Sequence, residues 1–228
     1  MDSVFDRPPV SLQSPPPEGA RDALGRPGGV AALVPEEGRV LAVLVEKQHT
    51  VPDSYPLSLN ALTAGCNQKT AREPVMELTE AEVLVALNGL KERSVVFEVS
   101  GSRVTRFEHN LRRVYGVPGA AEALLTVLLL RGPQTTAELR LNCERLHRFA
   151  DLSSAEGFLE ELVDKGLVQR LPRAPGAREA RWAQLLTGPV TVAQEAGTAA
   201  QPAAELVQQL RDEIEALKLR VAALEARS

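Results

Sequence analysis

The chain has 228 residues, 44% hydrophobic and 25% charged, with a formal net charge of −4. That balance is ordinary for a globular protein. It argues against a protein built mainly to coat nucleic acid, which would be basic.

Residues 1–35 are rich in proline and glycine. They bury too little apolar area to offset the entropy of ordering, so the segment reads as a disordered extension. A first block, residues 36–117, opens on EEGRVLAVLVEKQ, where Val40, Leu41, Leu44 and Val45 share one broad helical face. A short helix after Pro56 carries Leu59 and Leu62. A long turn follows it, from Cys66 to Thr79. The next helix opens on a capping box, with Thr79 and Glu82 each satisfying a backbone N–H at its start. Leu78 and Val83 stand at staple positions, and Val83, Leu87 and Leu90 line the inner face. FEVSGSRVTRF then alternates about a Ser-Gly-Ser turn, which predicts a β-hairpin.

The second block, residues 118–186, repeats this order. GAAEALLTVLLLRG is an apolar helix stopped by Gly132-Pro133, and TTAELRLNC is a short helix. LSSAEGFLEELVDKGLV predicts a helix capped by Ser153 with Glu156, with Gly157 where a staple partner would stand. Ala155, Leu159 and Leu162 point inward, and Gly166 marks the helix end. VQRLPRAPGAREARWAQL gives two short strands about a Pro-Gly turn. Leu87, Leu90, Val95 and Val96 match Leu159, Leu162, Leu167 and Val168 at a constant offset, which suggests duplication. Residues 187–204 read as a linker. In residues 205–228, Val207, Ile214 and Val221 take heptad a positions, and Leu210, Leu217 and Leu224 take d. β-branched a with Leu at d favours a parallel two-stranded coiled coil, hence a homodimer. The expected fold is mainly α with small β-hairpins: two tandem winged helix-turn-helix domains plus a C-terminal coiled-coil helix.

LSLNALTAGCNQKTAREPVMELTEAEV, LLLRGPQTTAELR and ERLHRFADL resemble the YceH-like family of bacterial proteins over about residues 36–186. The resemblance implies tandem winged helices. It brings no reaction, ligand or catalytic residue with it, and the proline-rich N-terminal segment looks like an addition to the family pattern.

The loop after Cys66 holds the densest chemistry: Asn67, Gln68, Lys69, Arg72 and Glu73. Lys69 and Arg72 suit a phosphate. Arg72 and Glu73 equally suit each other or the loop backbone, and Asn67 and Gln68 suit a cap on the helix they follow. Cys66 has no histidine near it in sequence, and Cys143 ends the equivalent helix of the second block, which favours packing over catalysis for both. His49, His109 and His147 are scattered, without zinc spacing. No enzyme, metal or cofactor is expected. The first ten residues lack the pattern of a secretion signal, no apolar run reaches the ~20 residues of a membrane span, and both cysteines read as reduced. A cytoplasmic protein is therefore expected.

Charge divides two function classes. The third helices are acidic, whereas the hairpins and their exits hold Arg103, Arg106, Arg112, Arg113, Arg170, Arg173, Arg178 and Arg181. Those arginines, with the commonest use of the fold as an analogy, make the first reading a transcriptional regulator that meets duplex DNA phosphates through its wings, with the second class as the alternative. The acidic helices, long turns and coiled coil point to a protein-interaction or dimerisation scaffold that binds no DNA.

Overall fold

Seven α-helices and two small antiparallel sheets make up the described residues of the computed structural model, which are 32–99, 104–174 and 176–189. The first helix, α1 (Pro35–Thr50), is the axis of the fold. Glu37 through Val45 are all buried, so α1 buries its whole circumference rather than the one face its periodicity suggests. It is enclosed because α2 (Leu59–Cys66), α3 (Glu80–Glu92) and α5 (Gly119–Arg131) all pack on it. Gly65 lets α2 approach closely: a Cβ there would stand 2.6 Å from Val43 Cγ1. Full burial of each α1 Val or Leu is worth roughly 1.5–3 kcal/mol.

Thr79 caps α3 as its sequence predicts. Its Oγ1 accepts from Glu82 N (3.3 Å), and Glu82 Oε2 accepts from Thr79 N (2.8 Å). Val83, Leu87 and Leu90 are fully buried. The strands that follow, β2 (Val96–Val99) and β3 (Arg106–His109), pair antiparallel with Val96 opposite His109. A two-residue strand, β1 (Leu57–Ser58), adds to the other edge of β3, giving the order β1-β3-β2. The chain then makes a short helix, α4 (Leu111–Tyr115), which the sequence reading assigned to the hairpin exit.

The second half runs α5, α6 (Thr136–Asn142), α7 (Leu152–Asp164), β4 (Val168–Arg170) and β5 (Trp182–Gln184). Gly132 ends α5 at φ 71°, a left-handed value that favours glycine. The expected cap on α7 shifts by two residues. Asp151 is the N-cap, its Oδ1 accepting from Ser154 N at 2.7 Å, and Ser153 lies inside the first turn. A carboxylate at the helix start also meets the positive end of the helix dipole. The staple position accordingly moves from Gly157 to Ala155, which is buried.

The halves join in one unit as far as Gly188. α1 packs along α5, Glu73 N donates to Leu130 O (2.7 Å), and Leu33 N donates to Leu186 O (2.8 Å). The heptad residues Val207, Leu210, Ile214, Leu217, Val221 and Leu224 lie outside the described residues.

Candidate functional site

The loop between α2 and α3 is organised around Arg72, whose side chain is fully buried. Its Nε and Nη2 donate to Gly65 O (3.2 and 3.1 Å), and Nη1 donates to Ala71 O (2.9 Å). Nη2 donates to Gln68 Oε1 (2.8 Å), and the two Nη groups reach the Glu46 carboxylate at 3.2 and 2.6 Å. Arg72 therefore pairs with Glu46 of α1 rather than with Glu73, and no donor is left over for a phosphate. Burial pushes the Glu46 carboxyl up, but the Arg72 bonds and charge, with Lys47, outweigh it and hold the group below its usual range.

A second buried guanidinium supports the loop. Arg39 of α1 donates to Cys66 O (3.2 Å) and Pro74 O (2.7 Å), so it grips both ends of the turn. Its Nε has no hydrogen-bond partner among the described residues. Burial, then the Arg72 charge, lowers its pKa. Asn67 sits at the C-terminal end of α2, but its side chain clamps Leu78 instead of capping the helix. Its Nδ2 donates to Leu78 O (2.7 Å) and its Oδ1 accepts from Leu78 N (2.8 Å). Lys69 is exposed, as is Glu73. The loop is long because it wraps two arginines, and Asn67, Gln68 and Arg72 are taken up in holding its shape.

Cys66 and Cys143 are both buried free thiols, and burial pushes each up to about 12. Neither is poised as a nucleophile at neutral pH. The ERLHRFADL string is structural too. Asp151 caps α7, and Phe149 is buried between the His147 ring (4.7 Å) and the Phe158 ring (6.1 Å).

The eight hairpin arginines separate into groups. Arg106 Nη1 donates to Pro56 O (2.7 Å) and Ser54 O (3.3 Å). Arg112, on α4, lies 3.3 Å from Glu122. Arg170 stacks over Trp182 at 5.3 Å and lies 3.9 Å from Glu156 and 4.0 Å from Glu160. Arg181 donates to Pro133 O (3.3 Å) and lies 4.0 Å from Glu138. Arg113, Arg173 and Arg178 are exposed, with no ion pair to another described residue, and Arg103 lies outside the described residues.

The clefts among the described residues include these three. One of about 350 Å³ lies beside Glu73, Arg131, Gln134, Glu138, Asn142 and Arg181, but its amides are occupied by each other: Asn142 Nδ2 donates to Gln134 Oε1 (2.6 Å). One of about 420 Å³ carries Arg170, Arg173 and Arg178 against Glu156 and Glu179. The third, about 330 Å³, runs between the start of α1 and the outer face of α3, lined by Val34, Glu36, Ala81, Glu82 and Val85. Here Val85 is 72% exposed and Val34 51%, and Leu84 of α3, which does not line the cleft, is 41% exposed.

Sequence reasoning missed Arg39, Glu46 and Glu122. A signal existed for two of them: a lone charge inside an apolar helical run, GRVLAVLV for Arg39 and GAAEALLTVLLL for Glu122. It also left the histidines apart, whereas the fold brings His49 and His109 onto Glu122, at 3.9 and 3.6 Å. Among the described residues no group of three or more His, Cys, Asp or Glu is arranged to hold a metal, and no helix is long and apolar enough to cross a membrane.

The class these features define is a mostly helical protein with two small antiparallel sheets and a heavily hydrogen-bonded interhelical loop. Residues 33–177 match the family model described as "Protein of unknown function, DUF480", and the chain belongs to that family. It is 62% identical to UPF0502 protein Bcep1808_3727 of Burkholderia vietnamiensis, over 86% of this chain and 83% of the relative. UPF0502 protein Mpe_A1449 of Methylibium petroleiphilum is 70% identical over 72% of each chain. UPF0502 protein H16_B1091 of Cupriavidus necator is 59% identical over 91% of this chain and 88% of its own.

Proposed function

We propose that this chain is a non-enzymatic, tandem winged-helix protein of the YceH-like kind, and that it works by docking another protein on the outer face of α3. The observation that carries this reading is the chemistry of that face. In a DNA-reading helix-turn-helix the second helix of the motif presents polar and basic groups to the groove. α3 instead exposes Leu84 and Val85 between Glu80, Glu82 and Glu92, beside the apolar cleft that includes Val34. An apolar strip rimmed by carboxylates suits a protein partner with an apolar anchor and basic flanks, and it repels phosphate. Four of the hairpin arginines are engaged within the fold, Arg112 across to Glu122 of the second half and the others in their own half, which weakens the wings as a phosphate surface. The heptads of residues 207–224 support a homodimer, which would present the α3 face twice.

The second reading, a DNA-binding regulator, is favoured by Arg113, Arg173 and Arg178, which stand exposed without an ion pair to a described residue. One pair of measurements separates the two. The wild type is titrated with random duplex DNA at low and at physiological salt. It is also used, beside Leu84→Glu/Val85→Glu, to capture partners. Docking predicts no duplex binding at physiological salt, and a partner retained by the wild type but lost by a double variant whose melt is unchanged. Duplex binding at physiological salt, with a salt slope reduced by Arg113→Ala, Arg173→Ala and Arg178→Ala, would replace docking with the regulator reading.

A further inference from the structure

The seam between α1 and α5 contains one buried carboxylate. Glu122 of α5 has a side chain only 1% exposed, and its neighbours come from three elements of the first half. His109 Nδ1 of β3 lies 3.6 Å from Oε1. Arg112 Nε of α4 lies 3.3 Å from Oε2, and His49 Nε2 of α1 lies 3.9 Å from Oε2. His147 stands near enough to His49 to oppose its protonation, and the Tyr55 hydroxyl accepts the backbone N–H of His109 at 2.8 Å. Glu122 Oε1 has no hydrogen-bond partner among the described residues.

The His109 ring indicates where the protons are. Its Nε2 lies 2.7 Å from Gln48 Oε1, an acceptor, so Nε2 carries the hydrogen. Nδ1 then holds the lone pair, and Leu111 N donates toward it at 3.4 Å. An ionised Oε1 facing that lone pair would set two acceptors against each other. At 3.6 Å the two atoms are too far apart for a hydrogen bond, and Nδ1 already faces the Leu111 N–H, so an ionised Oε1 would be a buried charge with no donor, which protonation removes. Arg112 cannot hold the ionised form alone, because its side chain is 53% exposed and its charge is screened by water.

We propose that Glu122 is a neutral carboxylic acid buried at the seam with one oxygen unpartnered, forming a pH-sensitive latch between the two halves. Losing that proton strands a buried charge where α1 and α5 meet, and the seam loosens.

The shifts agree in direction. Burial pushes Glu122 up to about 7 from 4.5, with Arg112 pulling the other way. Burial, then the charges of His49 and Arg112, holds His109 down to about 4 from 6.5. Burial, then Arg112 and His147, lowers His49 as well. Glu122 has a folded pKa above its unfolded one, so its contribution to stability is whole below 4.5 and is lost as pH rises through about 7. The two histidines act with the opposite sign: their contribution is whole above 6.5 and is lost as pH falls toward about 4 for His109. The opposing slopes mask each other in the native chain.

Glu122→Gln unmasks them, because its amide keeps the size of the acid and cannot ionise. Melting temperatures of the full chain and this variant are compared from about pH 5 to about pH 8.5. The latch predicts that the variant gains on the wild type steadily as pH rises through 7. It also predicts that at the alkaline end the amides of α1 and α5 exchange faster in the wild type than in the variant. Melting curves that keep a constant separation across the range would overturn it. Infrared spectra give a reading that does not depend on the variant folding. A protonated-carboxyl band is expected in the wild type near pH 6 and fades as pH passes about 7. Its absence near pH 6 also overturns the proposal.

Discussion

The two interhelical connections, α2 to α3 and α6 to α7, occupy equivalent places and are held by different physics. The first is polar. Arg72 and Arg39 reach into it, Glu46 supplies the countercharge, and Asn67 clamps its far end at Leu78. The second is apolar. Phe149 is buried between His147 and Phe158, while Leu146 N and His147 N both return to Cys143 O (2.8 Å each). The two halves thus share an order of helices and strands while their connections differ. A polar connection depends on geometry, because each buried group must keep its partner. An apolar one depends mainly on volume, so it accepts substitutes of similar size.

Removing Arg72 breaks the first connection most severely. Arg72→Ala strands Glu46 and the Gly65 carbonyl, and a broken buried pair costs about 3–5 kcal/mol in urea melts. Arg72→Lys should recover little, because an ammonium cannot reproduce the two-pronged contact with Glu46. In the second connection Phe149→Ala should cost about 3 kcal/mol, and Phe149→Leu should restore most of it. If lysine rescues the first connection as well as leucine rescues the second, the distinction between geometry and volume fails. The smallest effects sharpen the boundaries of the two connections. Thr79→Ala and Asp151→Ala should each cost about 1 kcal/mol, since each removes a helix cap. Ser153→Ala should stay within about 0.5 kcal/mol in the same urea melts. A larger loss at Ser153 than at Asp151 would return the cap to the position first read from the sequence.

Most helices and both hairpins were legible in the sequence because they are local. Periodicity gave α3 and α7 their buried faces, the Thr79–Glu82 box marked a start, and Gly132-Pro133 marked an end. Asp151 was passed over because a Ser-x-x-Glu pattern two residues on mimicked a capping box. β1 is two residues long, too short to show any alternation. The full burial of α1 could not be read from its own residues, because it depends on α5, which lies some seventy residues further along the chain. The candidate site residues were harder for the same reason. The CNQK…REPV string announced concentrated chemistry, but the partners that decide its meaning, Glu46 and Arg39, lie about thirty residues away on α1. The hairpin arginines were visible as a group, yet which of them are engaged depends on the carbonyls of Pro56 and Pro133 and on acids from other elements.

The two cysteines have a practical consequence. Cys66 closes α2 in one half and Cys143 closes α6 in the other, both with no exposed surface and with burial suppressing the thiolate. A maleimide added to the native chain meets neither sulfur until that half opens. Each half therefore carries its own chemical clock, and variants retaining a single cysteine would time the opening of the two halves separately.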